Sequence, residues 1–304
     1  MIRFDLRTTF MLSILIPTYH YNAYPLAKEL VKQAVEANLV FELICLDDGS
    51  LSKLNLENKK INMLTNCKFI EAYKNMGRSA SRQFLATEAK YNWLLFLDAD
   101  TWPKSRFFLT NYLNKITPLS EAIFGGFSYQ QSTHAKNKSL RYTFGKQREE
   151  VDANIRNKTP YKVIISANFL IKKPIFIELT QQNTENNYGM DYLFGALLKK
   201  HKIHVKHINN EVIHLGIDEN TAFLKKTENA MKTLSYLCKT KEITSNDISL
   251  LKAYNFLKLF YLQYLFGKFL GYFDAVIKKK LSGENPSLFI FDLYRLGYFC
   301  RIHQ

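Results

Sequence analysis

The sequence predicts an α/β chain: a doubly wound, mostly parallel sheet flanked by helices, with a C-terminal helical extension. Three observations carry this. Short apolar runs recur through roughly the first hundred residues, each closed by a polar turn. Helical periodicity fills the gaps between them. After His214 the composition changes to long helical patterns rich in Lys, Leu, Phe and Tyr. Strands separated by helices imply parallel pairing with right-handed crossovers.

Taken in order, Leu12 to Ile16 is an apolar run closed by Pro17, and Ala23 to Ala37 has helical periodicity. Phe41 to Leu46 is a second strand, closed by Asp47-Asp48-Gly49-Ser50. Lys68 to Ala72 is a shorter one. Arg78 to Ala89 reads as a helix, and Trp93 to Leu97 is the strand before Asp98-Ala99-Asp100. Ile123 to Tyr129 reads as a strand, whereas Gln130 to Lys158 is polar, basic and weakly periodic, a mobile loop with some helix. Val163 to Ile171 is apolar, Asp191 to Lys200 helical, and Ile203 to Ile208 a strand. Glu219 to Lys239 and Ser249 to Lys280 are long helical patterns. The expected division is a catalytic domain over 1–217, its halves about 11–102 and 103–217, and a helical region over 218–304.

With 304 residues, 47% apolar and 23% charged, the chain can bury a sizeable core. A formal charge of +15 favours anionic partners without choosing among them. Cys45, Cys67, Cys238 and Cys300 lie far apart, which argues against a zinc knuckle or disulfide framework and fits a reducing compartment. No apolar stretch of signal-peptide type precedes the first strand, so a cytoplasmic protein is expected. The longest apolar stretch, Phe256 to Ile277, is interrupted by Lys258, Gln263, Lys268 and Asp274. It suits a helix lying on a membrane surface better than one crossing it. From Lys225 onward there are thirteen Lys/Arg against six Asp/Glu. Basic helices with aromatic faces can lie on the inner face of an anionic bilayer or form the solvated face of a helical subdomain.

Open α/β sheets bind ligands outside the carboxyl ends of their strands. That edge collects Pro17-Thr18, Asp47-Asp48, Asp98 and Asp100. Two carboxylates one residue apart can hold a divalent cation through hard oxygens, and a cation so held offsets the charge of a diphosphate. Asp47 and Asp48 are acceptors suited to a nucleobase imide N–H or a ribose hydroxyl, or else turn and cap residues.

Four stretches then form an ordered set: Ser13-Ile14-Leu15-Ile16-Pro17-Thr18-Tyr19, Leu46-Asp47-Asp48-Gly49-Ser50, Asn75-Met76-Gly77-Arg78-Ser79-Ala80-Ser81-Arg82-Gln83 and Phe96-Leu97-Asp98-Ala99-Asp100. Together they resemble the family 2 glycosyltransferases of GT-A fold, which transfer a sugar from a nucleotide-diphosphate donor with inversion. The resemblance implies that Pro17, Thr18 and Tyr19 line the nucleoside pocket and that Asp47 or Asp48 meets base or ribose. Gly77 and Arg82 lie near the donor, and Asp98 and Asp100 bind donor and metal (Mn²⁺ or Mg²⁺). Gln83 stands where the family often has Asn. Tyr188-Gly189-Met190-Asp191 looks like the acidic motif on the acceptor side, with Met190 replacing the usual Glu and Asp191 retained as general base. His214 resembles a late His that approaches metal or diphosphate, and equally suits a core histidine. Asn168 would touch the sugar or acceptor, or else be a buried turn residue.

The implied partners are a nucleotide-sugar donor, a glycan or lipid-linked acceptor and an anionic membrane surface, with no nucleic acid. The implied process is cell-surface glycan synthesis by a hexosyl- or N-acetylhexosaminyl-transferase. Two rivals stand beside this reading. An Asp-x-Asp phosphatase would leave Asp47-Asp48 unexplained, and its motif would normally end the first strand. A non-catalytic basic membrane- or nucleic-acid-binding protein would leave the gathered carboxylates unexplained. His201, His204 and His207 alternate across a strand and make no common ligand sphere.

Overall fold

The first apolar run becomes β1 (Met11–Thr18), buried on both faces, as a strand in the middle of a parallel sheet must be. The structure is a computed structural model that describes residues 10–130, 136–181, 191–240, 243 and 248–303. α1 (Tyr24–Glu36) starts on a first-turn proline and buries Leu26, Ala27, Leu30, Val31 and Ala34, a stripe at helical spacing. There follow β2 (Val40–Asp47), the short α2 (Asn55–Asn58), β3 (Cys67–Glu71), α3 (Arg78–Glu88) and β4 (Trp93–Leu97). Beyond these lie β5 (Thr101–Pro103), α4 (Phe108–Leu113), β6 (Ala122–Phe124) and β7 (Phe127–Ser128).

Two short helices come next, α5 (Ser139–Phe144) and α6 (Ala153–Lys158). Then come β8 (Asn168–Lys172), α7 (Lys173–Thr180), α8 (Asp191–Lys200), β9 (Val205–His207) and β10 (Val212–His214). The chain closes with α9 (Asn220–Lys239), α10 (Ser249–Leu259), α11 (Gln263–Tyr272), α12 (Asp274–Leu281) and α13 (Leu288–Ile302).

Among the described residues, seven strands form one sheet in the order β3-β2-β1-β4-β8-β6-β9. β1 pairs parallel with both β2 and β4, while β8 runs antiparallel between β4 and β6. Strand order therefore reverses at β1. The chain steps outward through β2 and β3, and α3 then carries it back to β4 on the far side. The C-terminal ends of β1 and β4 flank that switch point, where doubly wound sheets open a ligand crevice. A small second sheet has the order β5-β10-β7.

The chain divides into two compact units. The first holds residues 1–127, 165–186 and 203–215, including the large sheet; the second holds 128–164, 187–202 and 216–304. The stretch expected as an acceptor half over 103–217 is thus shared between them. In the second unit, Met231, Leu234 and Leu237 of α9 pack with Leu251 and Tyr254 of α10 and Phe299 and Cys300 of α13. A separate cluster joins Leu140 with Phe223, Leu224, Leu281 and Phe291.

Three local expectations are corrected. The strand expected over 123–129 is broken by Gly125-Gly126, with Gly126 at φ +94°, so the chain leaves one sheet for the other. The loop expected over 130–158 is largely helical where described, with a π-helical turn Gly145–Glu149 between α5 and α6. Its inner face sets Arg141 and Arg156 beside Leu140 and Ala153. Arg141 donates to the Tyr129 hydroxyl and Glu149 at 3.0 Å each, and Arg156, 1% exposed, donates to the Val151 carbonyl at 2.9 Å. Apolar periodicity is therefore weak there. The long pattern over 249–280 is three helices, turned at Tyr261, which holds φ +56°, and at Phe273.

Candidate active site

The β1–β2 register sets Thr18 beside Asp47, and the amide of Asp48 donates to the Thr18 carbonyl at 2.9 Å. Asp47 is 1% exposed. Its Oδ2 accepts from the Ser50 amide at 2.9 Å, while Oδ1 is buried with no partner among the described residues. A buried acceptor left unmatched costs about 1–3 kcal/mol, so Oδ1 is primed to take a ligand N–H or O–H. Asp48 differs: its two oxygens accept from the amides of Met76 and Gly77 at 2.7 Å each.

Gly49, at φ +66°, lies so close to the Lys74–Asn75 backbone that a Cβ would sit 2.3 Å from the Lys74 carbonyl carbon. Asp48 and Gly49 thus clamp the loop that leads to Gly77 and α3. Thr18 is buried and its hydroxyl donates to the Tyr21 carbonyl at 3.1 Å. Pro17 is half-buried. Tyr19 is exposed, its ring edge-on to His20.

Asp98 sits where β4 ends. Arg82 Nη2 donates to its Oδ1 at 2.5 Å, and Arg78 Nη2 to its Oδ2 at 2.7 Å. Both arginines come from the first turns of α3, four residues apart and so on one face. Arg82 is buried and also donates to the Ser166 carbonyl at 3.2 Å; Arg78 is largely exposed. Burial opposes ionisation of Asp98, but the charges of Arg82, Arg78 and His214 outweigh it and hold the carboxyl below the usual range. Asp100 moves the other way: burial and the neighbouring Asp98 charge raise it, against the pull of His214 and Arg78. Burial, then the Asp100 charge, also raises the Tyr21 phenol.

His214 reaches this place through the small sheet. β10 pairs antiparallel with β5 so that His214 faces Thr101, and the Leu215 amide donates to the Asp100 carbonyl at 2.8 Å. His214 Nε2 lies 3.5 Å from Asp100 Oδ2, and its ring packs 5.2 Å from that of Phe127. Among the described residues, no three His, Cys, Asp or Glu side chains converge as a metal-holding group. Of the expected set, Asp98 has two guanidiniums on its oxygens, while Asp100 and His214 lie side by side.

Asn168, expected against sugar or acceptor, is 0% exposed. Its Oδ1 accepts from the Tyr112 hydroxyl at 2.7 Å, and its Nδ2 donates to the Gly126 and Asn210 carbonyls at 2.9 Å each. Every amide atom is spent inside the first unit, at the first residue of β8. Asp191 is exposed at the start of α8, in the second unit. Met190 and the Tyr188-Gly189 pair lie outside the described residues. His207 is buried against Phe124, while His201 and His204 are exposed. Sequence reasoning missed Arg78 as a partner of Asp98. Its signal was the i, i+4 spacing to Arg82 just after Gly77.

The profile of the family described as "Glycosyl transferase family 2" matches residues 13–180. No curated protein sequence matches the chain. Among solved structures, it is similar to the mannosyltransferase PcManGT of Pyrobaculum calidifontis, determined in complex with GDP-Man and Mn2+. Identity there is 12% and the TM-score 0.49, over 75% of this chain and 64% of that one. It is also similar to residues 1–349 of S. aureus TarS, at 15% identity and TM-score 0.46, over 97% of this chain and 90% of that one. A mycobacterial protein aligns at 9% identity and TM-score 0.51, over 75% of this chain and 74% of that one. The chain spans about two thirds or less of the mannosyltransferase's length, 64%.

Proposed function

This chain belongs to glycosyl transferase family 2, with the GT-A fold, and we propose that it moves a sugar from a nucleotide-diphosphate donor to an acceptor hydroxyl with inversion. The observation that supports this is the cluster of polar groups at the β1/β4 switch point. There, buried Thr18, the unmatched Oδ1 of Asp47, arginine-held Asp98 and the Asp100–His214 pair lie at strand ends.

Asp47 Oδ1 accepts a hydrogen bond from the base or ribose, while Asp48 and Gly77 set the loop that shapes the pocket around Pro17, Thr18 and Tyr19. Arg82 and Arg78 keep Asp98 ionised and fixed in direction. Asp100 and His214 fit a divalent cation, Mn²⁺ or Mg²⁺: one carboxylate oxygen and one imidazole nitrogen leave the other positions to water and diphosphate oxygens. Such a cation, when bound, offsets diphosphate charge and stabilises the departing nucleoside diphosphate. Asp191 takes the proton from the acceptor hydroxyl as that oxygen attacks the anomeric carbon from the face opposite the leaving group.

The setting proposed is surface-glycan synthesis at the cytoplasmic face of a membrane, with a glycan or lipid-linked acceptor. The phosphatase alternative is disfavoured by the arginines that hold both oxygens of Asp98, the residue it would need as nucleophile. The test is turnover across a panel of nucleotide sugars with and without Mn²⁺ or Mg²⁺. Release of nucleoside diphosphate from one donor class, metal-dependent and accompanied by no phosphomonoester hydrolysis, is the expected result. Hydrolysis of phosphomonoesters, with no donor consumed, would overturn the reading.

A further inference from the structure

In the second unit the usual polarity of a surface helix is inverted. Eleven large apolar side chains between 256 and 276 are exposed by more than a third, among them Phe256, Tyr261, Leu265, Phe269, Tyr272 and Val276. On α11 the outward residues are Tyr264, Leu265, Lys268, Phe269 and Tyr272, which share one helical face. The opposite face carries Gly267 and Gly271. A Cβ on Gly267 would meet the Cys300 side chain at 3.1 Å, and one on Gly271 would meet Arg301 at 2.9 Å. The small residues thus seat α11 tightly on α13, and the large ones point to solvent. A single exposed Leu or Phe needs no explanation, but eleven within 21 residues, four of them on one face of α11, mark a surface that something covers.

Charge decides what covers it. Between 248 and 281 the chain carries six lysines against one acid, Asp274, which is itself paired with Lys278 and Arg301. Lys252, Lys258, Lys268, Lys279 and Lys280 are exposed around the apolar field, and Lys268 lies over the Tyr264 ring at 5.3 Å. A second copy docking through the same patch would set lysines against lysines, since a two-fold contact pairs a surface with itself. An anionic bilayer instead offers headgroups to the lysines and an acyl boundary to the Phe, Leu and Tyr side chains.

No described helix is long and apolar enough to cross a membrane. α11, with ten residues, is about 15 Å long, roughly half the hydrocarbon thickness. We propose that the α10–α12 face is an interfacial membrane-binding surface, selective for anionic lipid, with α11 lying in the plane of the headgroups. The basic region expected from the sequence is thereby narrowed. α9 and α13 turn most of their apolar residues into the unit's cores, leaving Tyr236 and Phe289 as isolated exposed ones, and the binding face is confined to about 256–280.

The experiment is flotation of the full chain with vesicles of phosphatidylcholine alone, or with about a third phosphatidylglycerol. Binding is expected only to the mixed vesicles, and it weakens as salt rises, because the attraction is screened. Lys268→Gln should weaken it about fivefold, and Phe269→Ser at least about tenfold. Both sites are exposed, so circular dichroism and melting should match the parent chain. Should either variant misfold, the lipid and salt dependence of the parent chain decides alone. Absence of binding to mixed vesicles at low salt overturns the proposal, as does equal, salt-independent binding to both compositions. Concentration-dependent dimers abolished by Phe269→Ser, without vesicle binding, would give the patch to a second copy. None of these readouts depends on sugar transfer, so this proposal and the proposed activity fail separately.

Discussion

Replacing Asn168 by alanine separates a scaffold role from a ligand-binding one. The amide makes three short hydrogen bonds in a site with no solvent access: from Tyr112 at 2.7 Å, and to the Gly126 and Asn210 carbonyls at 2.9 Å. Asn168→Ala leaves both carbonyls without that donor. The Tyr112 hydroxyl keeps its longer, 3.3 Å bond to the Asn168 carbonyl, and the Gly126 carbonyl keeps the Val212 amide at 3.3 Å. A buried group that loses its partner costs about 1–3 kcal/mol, and the bonds kept by Tyr112 and Gly126 hold the sum to about 3 kcal/mol. For a protein of 304 residues that lowers Tm by roughly 5 °C.

Urea and thermal unfolding measure the loss, and Tyr112→Phe should cost about 1–2 kcal/mol. Combining the two should give a coupling of about 1 kcal/mol, because they share one hydrogen bond. The donor KM, measured well below the lowered Tm, should move little. If Asn168→Ala instead stays within about 0.5 kcal/mol of the parent chain while the donor KM rises, the reasoning fails and Asn168 returns to the sugar site.

Asp100→Asn should abolish most metal-dependent donor turnover with the fold retained, and titration of Mn²⁺ into the variant with nucleoside diphosphate present should lose its binding signal. Asp47→Ala should weaken free nucleoside diphosphate and intact donor alike, by about tenfold, the equivalent of one hydrogen bond to a charged group, as read by equilibrium binding. Asp191→Asn should cut transfer by about 10²–10⁴-fold with donor affinity nearly unchanged, in single-turnover assays. In the second unit, burial opposes ionisation of Glu228 and Asp274. Hydrogen bonds outweigh it, from Lys278 and Tyr294 to Glu228 and from Lys278 and Arg301 to Asp274, so both folded pKa values lie below their ordinary ones. The stability they contribute is complete above the ordinary carboxylate range and is lost as pH falls through the lowered values. Denaturation between about pH 3 and 7 should show that acid loss, and Glu228→Gln should reduce it.

The sheet's leading strands were legible because each is an apolar run closed by a turn, a pattern that local chemistry enforces wherever both faces are covered. Trp93–Leu97 and Asp191–Lys200 have the expected bounds. The helical character of 136–158 was hidden because Arg141 and Arg156 take buried positions on its inner face, tolerable only with partners such as Glu149, Tyr129 and the Val151 carbonyl.

By itself the sequence determined the alternation of strands and helices, the family, and the gathering of carboxylates at one sheet edge. Period, turn chemistry and the rule that strand ends carry the crevice suffice for these. Tertiary structure alone decided which carboxylate does what. Asp48 is committed to amides 28 and 29 residues away, Asp98 to guanidiniums 20 and 16 residues back, and Asp100 is joined by a histidine brought across by β10. It also turned the one apolar stretch after 256 into three short helices facing outward. Such outcomes rest on register and on which buried groups find partners, and those are settled between distant segments, where local propensity carries no information.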